Sequence, residues 1–321
     1  MGATIGIDVG GTKIAGAVVD DRGTIGERLQ VPSPATDSDA LVDAISDMVA
    51  TLQRGGRADA VGISAAGFVA ADRSTILFAP NLAWRNLPLG AEIARRTGLT
   101  AVVENDGNAA AWGEYVHGAG AGTGCRDLLL VAIGTGVGGG IVMDGALQRG
   151  GFGIAGEIGH VRLVRDGLPC GCGRRGCLEQ YGSGTALVRS ARAAAAAHPE
   201  AAAALVTAAG GRVEEIDGPV ITDQARQGDP FAVDLLAGLG TWLGEGLAQL
   251  ASVLDPQLIV VGGGASDAGN LLLAPMRTTY AEHLGGGSSR PVAPIVVATL
   301  GNQAGIVGVA HLAARAAGAD A

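Results

Sequence analysis

The apolar positions of the chain follow two different periods, and their order predicts strands interleaved with helices. Short runs rich in valine, isoleucine and leucine predict strands, at residues 4–7, 14–19, 60–65, 101–103, 128–133, 141–143, 258–261 and 295–299. Apolar residues at helical spacing predict helices, at residues 37–53, 89–98, 185–209 with a break at His198-Pro199, 231–254, 271–284 and 303–315. This alternation favours an α/β fold. The helix over 231–254 is expected to be core, with part of its apolar face available to a partner subunit.

Length and composition narrow the class of protein. A chain of 321 residues is long for one compact core, so we expect two α/β domains with a cleft between them, divided near the glycine-rich connection 118–124. The net charge of −9 argues against a nucleic-acid surface, so backbone amides and metal ions must meet any bound phosphate. No targeting segment is visible, and the apolar run 128–143 is too short and too broken by glycine to span a bilayer. A cytoplasmic enzyme fits best.

A cluster of metal-ligand residues lies in the middle of the chain. His160 precedes three cysteines, Cys170, Cys172 and Cys177, and these residues supply the four tetrahedral ligands that zinc prefers. With every position filled by protein, the metal would be structural. The alternatives are a disulfide with a spare thiol, or a glycine-rich loop with incidental cysteines; crowding and the lack of a secretory signal disfavour them. Cys125 is expected to be an ordinary thiol.

The segment from His160 to the Cys-Gly-Cys-Gly-Arg-Arg-Gly-Cys-Leu-Glu run at 170–179 closely resembles the zinc-bearing consensus of the ROK family of sugar kinases and sugar-responsive repressors. The resemblance extends over nearly the whole chain and is nearest to the bacterial ATP-dependent glucokinases of the family. It implies the two-domain actin-like ATPase (ribonuclease H-like) fold. In that fold the terminal helix returns to the first domain, so we expect domains at 1–117 with 302–321 and at 118–301.

Two glycine-tipped hairpins are candidate phosphate sites. The first carries Asp8, Gly10, Gly11, Thr12 and Lys13, and Asp8 is placed to hold Mg²⁺ through water. The second hairpin repeats the pattern with Thr135 and Gly136, so that the pair would clamp the β- and γ-phosphates of ATP. A plain hairpin is the alternative for either one, and a Rossmann fingerprint is excluded because a strand follows the glycines. The glycines Gly262, Gly263 and Gly264 are expected to lie against adenosine, or else to form a tight strand-to-helix turn.

The polar cluster after the strand at 101–103 matches the family's catalytic loop, Glu-Asn-Asp-x-Asn-Ala-Ala. Phosphoryl transfer to a sugar needs a carboxylate that accepts the proton of the attacking hydroxyl, and Asp106 is predicted to be that base. The alternative is a helix cap, which these residues also form well. The resemblance further implies that sugar hydroxyls contact Gly67, Asn105, Asp106, Glu157, His160 and Glu179. Gly67 is equally explained as a strand-end turn.

Together these features predict phosphorylation of glucose at its 6-hydroxyl, with ATP, Mg²⁺ and structural Zn²⁺, by a protein that forms a homo-oligomer. A kinase for another hexose or an N-acetyl-hexosamine, such as N-acetylmannosamine, shares most of this site. A polyphosphate donor is disfavoured because the polyphosphate users of the family lack the cysteine cluster. A sugar-responsive regulator is disfavoured by the acidic charge and by strand residues that begin at Thr4, which leave no room for a DNA-reading helix-turn-helix.

Overall fold

The computed structural model describes residues 3–56 and 58–318, which form a mixed α/β protein. The strands are β1 Ala3–Val9, β2 Lys13–Val19, β3 Ile25–Pro32, β4 Ala58–Ala65, β5 Phe68–Val69, β6 Ile76–Phe78, β7 Arg85–Leu87, β8 Thr100–Asn105, β9 Leu128–Ile133, β10 Val137–Met143, β11 Ala146–Leu147, β12 Leu258–Gly262 and β13 Ile295–Val297. The helices are α1 Ser38–Arg54, α2 Leu89–Thr97, α3 Asp106–Val116, α4 Glu179–Gly182, α5 Gly184–Ala197, α6 Ala203–Ala208, α7 Gly218–Arg226, α8 Pro230–Leu254, α9 Asn270–His283 and α10 Ala304–Ala316. No helix in these described ranges is both long enough and apolar enough to cross a membrane.

The described residues divide into two compact units. The first contains those of Met1–Leu130, Gly140–Gly156 and Ala298–Ala321, and the second contains Val131–Gly139 and Glu157–Val297. The division therefore passes through β9 and β10, and the C-terminal helix α10 belongs with the N-terminal strands. The domain boundary near residue 118 stays a prediction, and the ends of its ranges, 1–2 and 319–321, lie outside the described residues.

The first unit is built on a five-stranded sheet in the order β3-β2-β1-β4-β8. Strand β1 pairs antiparallel with β2, as the predicted hairpin requires, and parallel with β4. Alternate residues of β1 point to opposite faces. Ile5 and Ile7 join a core with α1 and α2, whereas Gly6 lies against Ile306 of α10. A side chain at Gly6 would overlap the α10 backbone, so glycine is what lets this helix approach the sheet.

The second sheet has the order β11-β10-β9-β12-β13, with β12 and β13 parallel. The predicted long helix is α8, and its apolar face packs mainly on α9 within the second unit. Trp242 of α8 lies against Tyr181, with ring centroids 4.7 Å apart. Most of the apolar face expected to be core is therefore buried in the chain's own fold. Helix α7, the edge strand β3 and the small sheet β5-β6-β7 were not predicted.

Candidate active site

In the first unit, the predicted catalytic loop lies where β8 ends at Asn105 and α3 begins at Asp106. Asn105 Oδ1 accepts the backbone N–H of Asn108 at 3.1 Å, so Asn105 caps the helix as the alternative interpretation requires. Its Nδ2 donates to the carbonyl oxygen of Gly67 at 3.2 Å and to Asp106 Oδ1 at 3.0 Å. The structure thus brings together the three predicted residues Gly67, Asn105 and Asp106. Capping leaves the Asp106 carboxylate at the exposed start of the helix, where the helix dipole favours an anion.

The backbone approaches closely at Gly67. A Cβ atom there would lie 2.6 Å from the carbonyl oxygen of Phe78, well inside any normal contact. Glycine at this position therefore has a packing cause, as the strand-end interpretation predicted. It also keeps the Gly67 carbonyl within reach of the Asn105 amide, so the same glycine helps to fix the orientation of Asn105.

A buried ion cluster supports the catalytic loop, and the sequence reasoning did not find it. The carboxylate of Glu104 is fully buried, and Oε2 lies 2.8 Å from Nε of Arg149. Glu104 Oε1 accepts from the side-chain amide of Asn108 at 3.2 Å. Nε of Arg73 lies 3.6 Å from Oε2 of Glu104. Burial lowers the pKa of the Arg73 guanidinium, although the charge of Glu104 opposes that shift. The one available signal was the charged residue Glu104 directly after the apolar residues of β8.

Arg149 also donates to the carbonyl oxygens of Ala70 and Ala71, at 2.9 and 3.2 Å. A single guanidinium therefore joins the residue before Asn105 to the loop that follows β5. Removing one partner of a buried pair leaves an uncompensated charge, which is far more costly than losing an exposed ion pair. The cluster therefore connects the start of the predicted catalytic loop to distant parts of the first unit.

The first glycine turn follows β1. The N–H of Gly10 donates to the carbonyl oxygen of Lys13 at 3.0 Å, which closes the turn and leaves Gly11, Thr12 and Lys13 exposed. Ser64 Oγ donates to Asp8 Oδ1 at 2.8 Å, across the parallel pair of β1 and β4. Burial raises the pKa of Asp8, while the Ser64 hydrogen bond and the charge of Lys13 act in the opposite direction. A bound cation would offset the cost of burying this carboxylate.

The second glycine turn, residues 134–136, belongs to the second unit. The N–H of Gly134 donates to the carbonyl oxygen of Gly136 at 3.0 Å. Strand β10 resumes at Val137, earlier than the predicted residue 141, because the glycines 138–140 continue the strand instead of the turn. The turn therefore has fewer residues than predicted, and the predicted Thr135 and Gly136 lie at its tip.

The predicted zinc ligands come together in the second unit. One ligand atom from each of His160, Cys170, Cys172 and Cys177 lies within 4.8 Å of all the others. The sulfurs of Cys172 and Cys177 are 3.6 Å apart, and Nδ1 of His160 is 3.7 Å from the sulfur of Cys170. Ligands at zinc bond lengths and tetrahedral angles would be separated by about 3.6–3.8 Å. The donor set and its spacing fit a closed zinc site, and all four cysteines of the chain are free thiols.

Acid–base chemistry of the cluster agrees with a cation site. Burial raises the pKa of Cys172, but hydrogen bonds from the Arg174 backbone and from neighbouring side chains outweigh it and lower the value to about 6. Burial and the adjacent thiols raise the pKa of Cys177 to about 12. Neighbouring thiols cannot all ionise together without a compensating positive charge, which a metal ion supplies.

Two carboxylates flank the cysteine cluster. His160 Nε2 lies 3.9 Å from Glu157 Oε2, so one ring nitrogen faces the cysteines and the other faces Glu157. Burial raises the pKa of Glu157; the charge of His160 opposes this shift and that of Glu179 adds to it. Glu179 Oε1 lies 3.9 Å from the sulfur of Cys170. Glu157, His160 and Glu179 are thus neighbours, as the predicted zinc loop requires.

A cavity of about 800 Å³ lies within the second unit, a volume suited to a nucleotide. Its lining includes the second glycine turn, the start of α5 and one face of α7, with Thr135, Thr185, Pro219, Thr222, Gly264 and Ala265. Of the predicted adenosine glycines, Gly264 lines the cavity, whereas Gly262 is the buried last residue of β12. A side chain at Gly263 would overlap the backbone of Ile133, so a tight turn accounts for that glycine. An adenosine contact for these residues stays a prediction.

This chain is similar to known proteins over nearly its whole length. The chain is 52% identical to the glucokinase of Streptomyces coelicolor over 313 residues, 98% of each protein. It is 37% identical to an N-acetylmannosamine kinase of Escherichia coli O9:H4, over 85% of this chain and 87% of that protein. Among solved structures it is similar to a ROK family glucokinase from Streptomyces griseus in complex with glucose and AMPPNP, with a TM-score of 0.87, 52% identity, and coverage of 98% and 100%. Since the model of the ROK family matches residues 4–316 as well, this chain belongs to the ROK family.

Proposed function

We propose that this protein is an ATP-dependent glucokinase, which transfers the γ-phosphoryl group of ATP to the 6-hydroxyl of glucose. The observation that carries the proposal is the similarity to the S. griseus enzyme, whose structure holds glucose and a non-hydrolysable ATP analogue. That relative is 52% identical to this chain over nearly its full length and shares its fold, with a TM-score of 0.87. Closure around the substrates would exclude water and limit wasteful hydrolysis of ATP.

Asp106 is proposed as the general base. The attacking 6-hydroxyl must lose its proton as its bond to phosphorus forms, and a fixed carboxylate accepts that proton. Asn105 and the Gly107 amide both donate to Oδ1 of Asp106, at 3.0 and 2.9 Å, so the carboxylate is held in one orientation. Such positioning is the main contribution that a protein makes to phosphoryl transfer.

Asp8 is proposed to hold Mg²⁺ through water, with Ser64 fixing the orientation of its carboxylate. A hard cation prefers oxygen ligands, and a half-buried carboxylate next to an exposed glycine turn fits that preference. When bound, the metal would neutralise charge on the β- and γ-phosphates. The backbone amides of the turn at Gly11 and Thr12 would supply additional donors to the phosphates.

The Cys₃His cluster is proposed to be a structural zinc site. Its four protein ligands leave no open position, so the metal would stabilise the loop without reacting. With Nδ1 of His160 facing the cysteines, Nε2–H remains a donor for a sugar hydroxyl, and Glu157 and Glu179 remain acceptors. Asn105 and Asp106 are proposed to contact the other hydroxyls, with Gly67 beside them.

The phosphoryl donor is proposed to be a nucleotide instead of polyphosphate. A polyphosphate chain needs a row of available cations, but the arginines that line the cavity are already engaged. There are three such arginines: Arg189 donates to the carbonyl oxygen of Gln180, Arg192 donates to that of Ile216, and Arg226 contacts Asp223 and the carbonyl oxygen of Asp267. The remaining lining is largely apolar or glycine, which suits a base and a ribose.

An N-acetyl-hexosamine acceptor is the second candidate, favoured by the 37% identity to the E. coli N-acetylmannosamine kinase. The higher identity to glucokinases makes glucose the first choice. Two further proposals rest on the family resemblance: that the enzyme works in the cytoplasm, where it would feed glycolysis, and that it forms a homo-oligomer, a dimer or a tetramer.

The test is release of ADP from Mg-ATP with glucose, mannose, fructose, N-acetylglucosamine and N-acetylmannosamine as acceptors. We expect kcat/KM for glucose to exceed that of each other sugar by about tenfold or more. Preference for an amino sugar would favour the second candidate and leave the catalytic loop unchanged. The kinase proposal would be wrong if none of these sugars supported turnover above the rate of ATP hydrolysis.

A further inference from the structure

Glu179 contacts more than the cysteine cluster. Its Oε2 accepts the backbone N–H of Val137 at 3.2 Å, directly after the second glycine turn. A Cβ atom at Gly136 would overlap this same oxygen, so the carboxylate lies against the Cα of the turn. One oxygen of Glu179 therefore faces the turn, while the other faces Cys170.

The residues after Glu179 hold the same turn from its other end. The N–H of Gly184 donates to the carbonyl oxygen of Gly134 at 2.8 Å, and Thr185 Oγ1 donates to the carbonyl oxygen of Thr135 at 2.7 Å. A single short segment, 179–185, thus makes three hydrogen bonds to the turn at 134–136 and to Val137. This segment begins two residues after the cysteine ligand Cys177.

We infer that Glu179 is a positioning residue for the nucleotide, which fixes the turn at 134–136 in addition to its proposed contact with the sugar. The inference rests on the proposed function, because it assumes that this turn binds phosphate. Gly134 and Thr135 of this turn line the cavity, so fixing Val137 N–H at its end would hold the backbone amides of the turn in one arrangement for a phosphate. Glu179 thereby joins the cysteine cluster, the sugar contact and the phosphate contact in one side chain.

Whether removal of Glu179 weakens or strengthens nucleotide binding distinguishes a positioning role from simple charge repulsion. A carboxylate next to a triphosphate repels it, so removing the charge alone should strengthen nucleotide binding. If Glu179 instead holds the turn, its removal should weaken nucleotide binding, even with no sugar present. If Glu179 only contacted sugar, its removal would neither strengthen nor weaken nucleotide binding when no sugar is present.

The experiment measures the Kd of Mg-AMPPNP by calorimetry, without sugar, for Glu179→Ala, Glu179→Gln and Glu179→Asp. We expect Ala and Asp to weaken binding by about five- to tenfold, because neither can reach the Val137 N–H. Gln retains an oxygen acceptor at full length and should bind within about twofold of the natural protein. Glu157→Ala is the matched control: it removes the other flanking carboxylate and should leave sugar-free nucleotide binding unchanged.

Zinc content and thermal unfolding of each variant separate this effect from collapse of the cysteine loop. Unchanged AMPPNP affinity in both the Ala and Asp variants would overturn the inference, as would equal weakening by Gln. Since no sugar is present, the result does not depend on the acceptor. If natural protein binds AMPPNP but does not phosphorylate glucose, the proposed function fails while the role of Glu179 is still tested.

Discussion

At the scale of single residues, the conformation of the catalytic loop depends on the hydrogen bonds of the Asn105 side-chain amide. Its oxygen caps α3, and its nitrogen is shared between Gly67 and Asp106. Capping and catalysis are therefore not competing explanations of this motif. The hydrogen bonds that end the strand and begin the helix are the same ones that orient the proposed base.

Replacing Asp106 by Asn tests the base with little change of shape. The amide oxygen can still accept from Gly107, so the fold and the start of α3 should survive, with Tm close to that of the natural protein. Because an amide cannot accept the proton of the 6-hydroxyl, we expect kcat to fall about a thousandfold while KM for glucose changes little. Steady-state kinetics measures both, and a kcat within tenfold of normal would remove Asp106 from the mechanism.

Ser64→Ala tests the orientation and ionisation of Asp8. The Ser64 hydroxyl lowers the pKa of Asp8 against the effect of burial, so its loss raises that pKa further. Asp8 must be ionised to hold Mg²⁺. As the pH falls, the variant should therefore lose activity at a higher pH than the natural protein does. At neutral pH we expect KM for Mg-ATP to rise by about three- to tenfold.

The matched control is Ser46→Ala, which removes a hydroxyl bonded only within α1. A pH–rate profile of kcat/KM for Mg-ATP compares the three proteins. If the acid limb of Ser64→Ala coincides with that of the natural protein, Ser64 has no role in the ionisation of Asp8.

At the scale of elements, the cysteine loop should depend on its metal. We expect one zinc ion per chain, lost in Cys177→Ser, with Tm lowered by roughly 5–10 °C and weaker glucose binding because Glu157 and Glu179 lose their support. Cys125→Ser removes the one cysteine outside the cluster and should retain zinc, Tm and activity. Fully active natural protein that contains no zinc by metal analysis would contradict the structural role.

The close contact between α3 and α10 at Gly308 leads to a second prediction. A side chain at Gly308 of α10 would overlap the backbone of Ala109 in α3, and backbone cannot move aside as a side chain can. Gly308→Ala should therefore lower the free energy of unfolding by about 2–3 kcal/mol. Gly238→Ala, in a helix position open to solvent, should raise it by about 0.5–1 kcal/mol. Chemical denaturation measures both, and equal effects would show that close packing of α3 and α10 is not the cause.

At the scale of the whole molecule, the sequence predicted features whose signal is local. Glycine turns, the capped catalytic loop, the break at His198-Pro199 and the cysteine spacing each lie within a short segment, and the structure has all of them. Strand β3 was missed because most of its residues are exposed and the polar residues Glu27, Arg28 and Gln30 interrupt its apolar pattern, which is typical of an edge strand. Helix α7 and the strands of the small sheet are short, so their periodicity is weak.

The supporting contacts of the site could not be predicted, because they join distant parts of the chain. Ser64 meets Asp8 only through the register of β1 and β4, and Arg149 reaches Glu104 from 45 positions away. Nothing in the spacing of these residues indicates the pairing. The fold determines which residues support the site, whereas the motifs identify which residues act in it.

The central claim is that glucose receives the phosphoryl group at its 6-hydroxyl, and the identity of the product tests it most directly. Purified protein with Mg-ATP and glucose would be coupled to a dehydrogenase that accepts only glucose 6-phosphate, while ADP is measured in parallel. We predict equal amounts of ADP and glucose 6-phosphate, with both lost in Asp106→Asn. Formation of ADP without glucose 6-phosphate would contradict the account.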